Sequence, residues 1–126
     1  MVEVQHLTMA ELEAGLDAIR QAPKEVGTLE LIVRRPAVDE REILEEGQLD
    51  LAEGLVGDTW NIRGSSRTDD GSSHPDMQLN VMSARAIALI AQEKERWHLA
   101  GDQLFVDLDL SKENVPPGTR LAMGTA

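Results

Sequence analysis

The hydrophobic residues near the start of the chain recur with the period of an α-helix. Thr8 followed by Glu11 matches a capping box, in which each side chain bonds to the backbone of the other residue. Apolar residues then return at helical spacing, at Leu12, Leu16 and Ile19. Because Pro23 cannot continue a helix interior, the pattern predicts a helix over residues 8–22 that packs on the outside of the main body.

Alternation of apolar and polar residues predicts strands further along. Leu29, Leu31 and Val33 share one face of a strand over residues 28–34, which Pro36 ends. Residues 41–46 fit a helix or a strand by pattern. A strand is favoured there because Gly47 and the turn that follows leave little room for a helix. Two further strands are predicted over residues 77–82 and 120–123.

The longest alternating segment covers residues 103–110. Leu104, Val106, Leu108 and Leu110 are expected to face the core, and Phe105, Asp107 and Asp109 are expected to face the other way.

Ser83 is placed to cap a second helix over residues 84–94. The centre of this segment is apolar nearly all round, which predicts a largely buried helix. Two helices among several short strands predict an α+β fold that is mainly β. We expect a mixed, mostly antiparallel sheet that curls or forms an incomplete β-barrel.

Composition narrows the classes of function. The chain has 126 residues, enough for one domain, and carries 23 acidic against 12 basic residues, a net charge of −11. We therefore expect neither nucleic acid nor an anionic membrane as a partner. The chain contains no cysteine, so thiol chemistry is excluded, and its first residues do not resemble a signal peptide. A cytoplasmic protein is the expectation.

A long polar segment, residues 59–76, is the candidate site. Long segments without regular structure are uncommon in compact domains and are often functional. Guanidinium groups, hydroxyls and an imidazole can bind a phosphate or a carboxylate. The candidate cofactor-binding residues are Arg63, Ser65, Ser66, Arg67 and His74. The alternative is an ordinary solvated loop whose arginines pair with surface carboxylates.

Five further polar residues are candidates for metal binding or for a structural role. Asp107 and Asp109 share a strand side and can in principle chelate Mg²⁺, but the sequence positions no third ligand, so no metal site is predicted. His6 and His98 have no partner at ligand spacing and are expected on the surface. Asp58 is expected to hold a turn through bonds to the backbone. No residue is assigned a catalytic role.

Three short motifs carry a resemblance to a known family. They are the Gly-Leu-Val-Gly-Asp run at residues 54–58, Glu113-Asn114, and the segment from Gly118 to Gly124. In this order, after the first strand, they resemble the MOSC domain, the module named after the C-terminal part of molybdenum cofactor sulfurase. The resemblance covers about residues 27–126. It implies a barrel of the pyruvate-kinase-like type after an N-terminal helical appendage, residues 1–26.

The resemblance also implies a function. Such domains handle the molybdenum cofactor and, by association with the sulfurases, pyridoxal phosphate, and they are linked to sulfur-carrier chemistry and sulfurase-like activity. The family's cysteine lies in a further C-terminal segment that has no counterpart here, so the chain resembles a domain without that part. The expected ligand is a phosphorylated small molecule. The alternative is a non-catalytic binding or assembly domain that pairs its open sheet edge with another chain, including a second copy of itself.

Overall fold

The computed structural model describes residues 5–37, 39–64, 68–74 and 77–126, with the backbone alone at positions 61 and 63. The helices are α1 (Met9–Ala14), α2 (Leu16–Arg20), α3 (Trp60–Arg63) and α4 (Ala84–Ala91), and a 3₁₀ helix spans Lys94–Ala100. The strands are β1 (Thr28–Arg34), β2 (Glu42–Leu44), β3 (Leu49–Asp50), β4 (Gly54–Leu55), β5 (Val81–Ser83) and β6 (Leu104–Asp107).

The N-terminal helix is capped as predicted but is broken in two. Thr8 accepts a bond from the Glu11 amide, and the Glu11 side chain accepts one from the Thr8 amide, which confirms the capping box. Gly15 then separates α1 from α2. A Cβ at Gly15 would lie 2.6 Å from the side chain of Leu89 in α4. The break therefore occurs where the chain lies close to α4.

Four strands form an open sheet in the order β2-β1-β6-β5. β1 pairs antiparallel with both β2 and β6, whereas β5 runs parallel to β6 and is connected to it through α4. β3 and β4 form a small separate antiparallel pair. The predicted α+β class with a mixed, mostly antiparallel sheet is confirmed.

Both faces of this sheet are covered. On one face, Val33 and Phe105 pack with Ile87 and Trp97 from the two helices that follow β5. On the other face, Ile32, Leu55 and Leu104 form a second cluster. The prediction that Phe105 faces away from the core is wrong, because Phe105 is 0% exposed beneath α4.

The expected face of Leu29 is also wrong. The β1–β6 register shifts between Leu29 and Leu31, so one extra residue of β1 is inserted at this point. Such a bulge reverses the alternation of side chains. Leu29 consequently lines the same cavity as Ile32 and Leu104 instead of facing the side of Leu31 and Val33.

Several predicted boundaries need correction. The strand predicted over residues 77–82 is confirmed only from Val81, since the Asn80 amide bonds to the side chain of Gln103 instead of a neighbouring strand. The helix predicted over residues 84–94 ends at Ala91, followed by Gln92 at a positive φ of 69°. The second strand, predicted over residues 41–46, is confirmed as Glu42–Leu44.

The strand predicted over residues 120–123 is absent from the part of the chain that the structure describes. Met123 and Ala126 instead exchange backbone hydrogen bonds with each other, which closes a turn. The Met123 side chain packs against the cluster of Ile32, Leu55 and Leu104. This contact anchors the segment without a ladder of strand hydrogen bonds.

Candidate functional site

The glycine-rich run at residues 54–58 is a tight reversal that leads into the candidate loop. Gly54 and Gly57 have φ values of 75° and 90°, which L side chains rarely adopt. A Cβ at Gly57 would also lie 2.5 Å from Nη1 of Arg34. Glycine is therefore required at this position for both conformation and space.

Asp58 joins this turn to the sheet. Its side chain is buried, with Oδ1 accepting a 2.7 Å bond from the Arg35 amide and Oδ2 accepting a 3.1 Å bond from the Trp60 amide. The Thr59 amide in turn donates to the Arg35 carbonyl. The prediction that Asp58 holds the turn through backbone bonds is confirmed, and the same bonds fix the start of α3 at the end of β1.

Ser73 closes the other end of the loop. Its hydroxyl donates to the Trp60 carbonyl and accepts a 3.1 Å bond from the Gly64 amide. Gly64 has a φ of 71°, and a Cβ there would lie 2.6 Å from the Gly71 carbonyl oxygen. The two arms of the loop are thus held together at their base, and we call residues 60, 64, 71 and 73 the loop stem.

The stem fixes the surroundings of the predicted site residues. The backbone of Arg63 directly precedes Gly64, and His74 directly follows Ser73, so the stem brings the backbones of positions 63 and 74 close together. His74 is half-buried, and its carbonyl accepts a bond from the Met77 amide. The side chain of Arg63, and all of Ser65, Ser66 and Arg67, lie outside the described residues. Their role as ligands stays a prediction.

Two arginines that were not predicted as site residues, Arg34 and Arg35, contact the segment that leads into the loop, residues 56–59. Arg34 donates from Nη1 to the Val56 carbonyl at 3.1 Å and from Nη2 to Glu42 at 2.5 Å. Arg35 follows it at the end of β1 and provides both backbone bonds to Asp58 and Thr59. The sequence feature that could have indicated these two residues is the pair of consecutive arginines before Pro36, at the end of β1.

Asp102 adds a carboxylate to the same end of the sheet. Partial burial raises the pKa of the Asp102 carboxyl above its ordinary value, while the positive charge of Arg35 opposes that rise. The neighbouring Gln103 is buried and connects the elements. Its amide group donates to Asp58 at 3.5 Å, and its side-chain oxygen accepts from the Asn80 amide at 2.7 Å. This end of the sheet is therefore polar and partly buried, and side-chain hydrogen bonds connect its segments.

Asp107 at the end of β6 and Asp109 beyond it do not form a paired site. Asp107 accepts a 2.8 Å bond from Arg85, and Asp109 accepts a 2.6 Å bond from Lys24. The Lys24 hydrogen bond, aided by Ser111, lowers the pKa of Asp109 to about 2. Neither carboxylate is simply water-facing, since each is neutralised by its own cation.

Among the described residues, no group of three or more histidine, aspartate or glutamate side chains is arranged to hold a metal ion. His6 is exposed, as expected, but His98 is half-buried and its carbonyl accepts a bond from Arg41. The expectation that His98 is a surface residue is therefore only partly correct.

No family model, curated protein or solved structure matches this chain. Within the described residues, no helix has the length and apolar character needed to cross a membrane.

Proposed function

We propose that this chain is a MOSC-like module that binds a phosphorylated cofactor or related anion on the loop held by the stem. The observation that carries the proposal is the Ser73 hydroxyl, which bonds to both Trp60 and Gly64. A flexible solvated linker needs no such closure. A loop that binds a ligand does, because fixing its ends beforehand reduces the entropy lost on binding.

The chemistry of the predicted ligands fits a phosphate group. Arg63 and Arg67 supply guanidinium groups that match phosphate oxygens in geometry and charge. Ser65 and Ser66 add hydroxyl donors, and His74 adds an imidazole that can donate a hydrogen bond. Each charge-assisted bond of this kind contributes about 1.5–3 kcal/mol.

The candidate cofactors are the molybdenum cofactor and pyridoxal phosphate, which the resemblance suggests. The hydrogen-bond donors of the loop suit the phosphate groups of these cofactors. The chain has no cysteine, so it supplies no thiol for sulfur transfer. When bound, the cofactor supplies its own redox or electrophilic chemistry, and the residues of the loop bind and orient its phosphate. A cytoplasmic location is part of this proposal.

Calorimetric titration tests the proposal. Wild type, Arg63→Ala and Arg67→Ala are titrated with pyridoxal phosphate, a molybdopterin-type ligand and inorganic phosphate. Either substitution should weaken binding about tenfold or more, as expected for one lost charge-assisted bond. Arg120→Ala is the matched control, because Arg120 is exposed and lines a cavity that includes Leu29 and Val106. Equal binding by all four proteins, or none, would contradict the proposal.

A second candidate function is a binding or assembly domain that pairs its sheet edge with another chain. The observation that favours it is the incomplete cover of β1. β2 pairs with β1 at Ile32, Val33 and Arg34, and within the described residues no strand lies beside residues 28–31 on that side. Cross-linking followed by mass spectrometry tests this function through the edge residues that join to a partner.

A further inference from the structure

The uncovered half of β1 lies beside a large groove. A cavity of about 750 Å³ separates β1 at Leu29 and Ile32 from the segment that leaves β2, residues 45–49. Its base is apolar, formed by Leu104 and Leu55 together with the two β1 residues. Leu29, in the uncovered part of β1, therefore borders a space large enough for further polypeptide.

The groove keeps apolar side chains in contact with water. Leu29 and Leu49 are each 40% exposed, and they line the groove together with Met123. A second cavity of about 310 Å³ shares Leu29 and Met123 with the first and reaches Leu121, which is 46% exposed. The two cavities adjoin at these shared apolar residues, while Glu25 and Arg120 also line the second cavity. Contiguous exposed apolar surface of this kind marks interaction sites.

The negative charge beside the groove favours a basic occupant. Glu45 and Glu46 line it on the side of β2, and both residues are exposed. A second copy of the chain would bring a further net charge of −11 to this surface, so like-charge repulsion disfavours it. A segment with basic residues is favoured for the same reason.

We infer that the groove binds an extended segment of a partner protein in which apolar residues alternate with lysine or arginine. This inference rests on the second proposed function and specifies its location and partner. The segment adds as a strand beside residues 28–31, and main-chain hydrogen bonds supply affinity as in other β-strand additions. Alternate side chains face opposite sides of a strand, so the apolar set contacts Leu29, Leu49 and Met123. The lysine or arginine side chains are long enough to extend around the added strand to the exposed carboxylates of Glu45 and Glu46 in the same groove.

A synthetic peptide tests the inference on the full chain. The probe is a peptide of about seven residues in which valine alternates with lysine, long enough to span four residues of β1 at about 3.3 Å per residue. Binding is measured by calorimetry, and amide hydrogen exchange is followed with and without the peptide. We expect increased protection at residues 28–31, and at least tenfold weaker binding of a peptide in which valine alternates with glutamate.

Two pairs of variants identify the groove. Leu49→Glu should weaken the valine–lysine peptide at least tenfold, whereas Ile90→Glu should not, because Ile90 is 56% exposed on α4 across the sheet. The double variant Glu45→Lys, Glu46→Lys should weaken it similarly. Its control is Glu93→Lys with Glu95→Lys, which makes the same charge change at exposed positions outside the residues that line the groove. The charge pair keeps the test valid if Leu49→Glu unfolds the small β3–β4 hairpin.

Several results would overturn the inference. Binding without protection at residues 28–31 would show a purely electrostatic contact. Equal binding of both peptides would remove the charge argument. Protection of the same amides by self-association without peptide at low salt, where repulsion between copies is strongest, would make a second copy the occupant. Pairing with a partner at β2 or β5 would contradict the inferred location while leaving the assembly function in place.

Discussion

At the residue scale, Asp58 and Ser73 do similar work at opposite ends of the loop. Each is a small polar side chain that bonds to two backbone atoms of other segments. Asp58 ties the entry to β1, and Ser73 ties the exit to α3. The loop is therefore held at its base by side-chain bonds to the backbone.

Replacing Asp58 should destabilise the fold strongly. Asp58→Ala leaves the Arg35 and Trp60 amides without their acceptor, and we expect a loss of about 3 kcal/mol in the free energy of unfolding. Asp58→Asn keeps one acceptor oxygen and should lose about half of that. Urea denaturation measures both. The control Asp69→Ala removes an exposed carboxylate and should change stability by less than about 0.5 kcal/mol.

The Lys24–Asp109 pair predicts a specific pH dependence. The pKa of Asp109 is lowered to about 2 in the folded chain, chiefly by the Lys24 hydrogen bond. A lowered pKa stabilises the fold above the unfolded value near about 3.9, and this contribution is lost as the pH falls through the folded value. Lys24→Met should therefore raise the pKa of Asp109, as measured by NMR titration of its carboxyl carbon.

Arg20→Met is the control for Lys24→Met. Arg20 lines the same cavity as Asp109, but its ion pair is with Asp17. An Asp109 titration that is unchanged in Lys24→Met, or shifted equally by Arg20→Met, would refute the assignment.

At the element scale, sequence patterns predicted the helix starts and the first strand, which depend on interactions between residues close in the chain. The capping residues Thr8 and Ser83 marked two helix starts, and alternation marked β1 over its full length. The bulge that moves Leu29 and the burial of Phe105 depend on strands far apart in the chain. Alternation alone cannot reveal that both sides of β6 are covered. Consecutive arginines at the end of β1 could have indicated the polar end of the sheet.

The geometry of the stem predicts that alanine substitution destabilises the fold more at Gly64 than at Gly118. Gly64 and Gly118 both have positive φ, at 71° and 89°, but only at Gly64 would a Cβ collide, 2.6 Å from the Gly71 carbonyl oxygen. Gly64→Ala should therefore lower the free energy of unfolding by about 1–2 kcal/mol more than Gly118→Ala. Thermal unfolding followed by circular dichroism compares them. Equal losses would show that the two arms of the loop are not in close contact.

At the scale of the whole molecule, the open sheet and the net charge act against each other. Exposed apolar groups and an uncovered strand edge favour association, whereas a charge of −11 opposes association between identical chains. The net charge follows from composition, and the pattern of helices and alternating segments predicted the sheet class. The sequence could not predict the uncovered segment of β1, because that segment depends on the strand register, which is set by tertiary pairing.

Association should therefore increase with salt. At about 0.05 M NaCl we expect a monomer, and at about 0.5 M the shorter screening length should let open edges pair. Size-exclusion chromatography with light scattering measures the mass at each concentration. A mass that stays constant or decreases with salt would show that the open edge does not drive self-association.

The proposed phosphate site is tested most directly by amide shift mapping on the ¹⁵N-labelled chain. Titration with inorganic phosphate and with pyridoxal phosphate should produce its largest saturable shifts at Gly64, Ser73 and His74, where the stem holds the loop. Shifts centred on Lys24 and Lys112, which line a separate cavity of about 550 Å³, would place the anion elsewhere. That result, or the absence of saturable shifts, would contradict the proposed function.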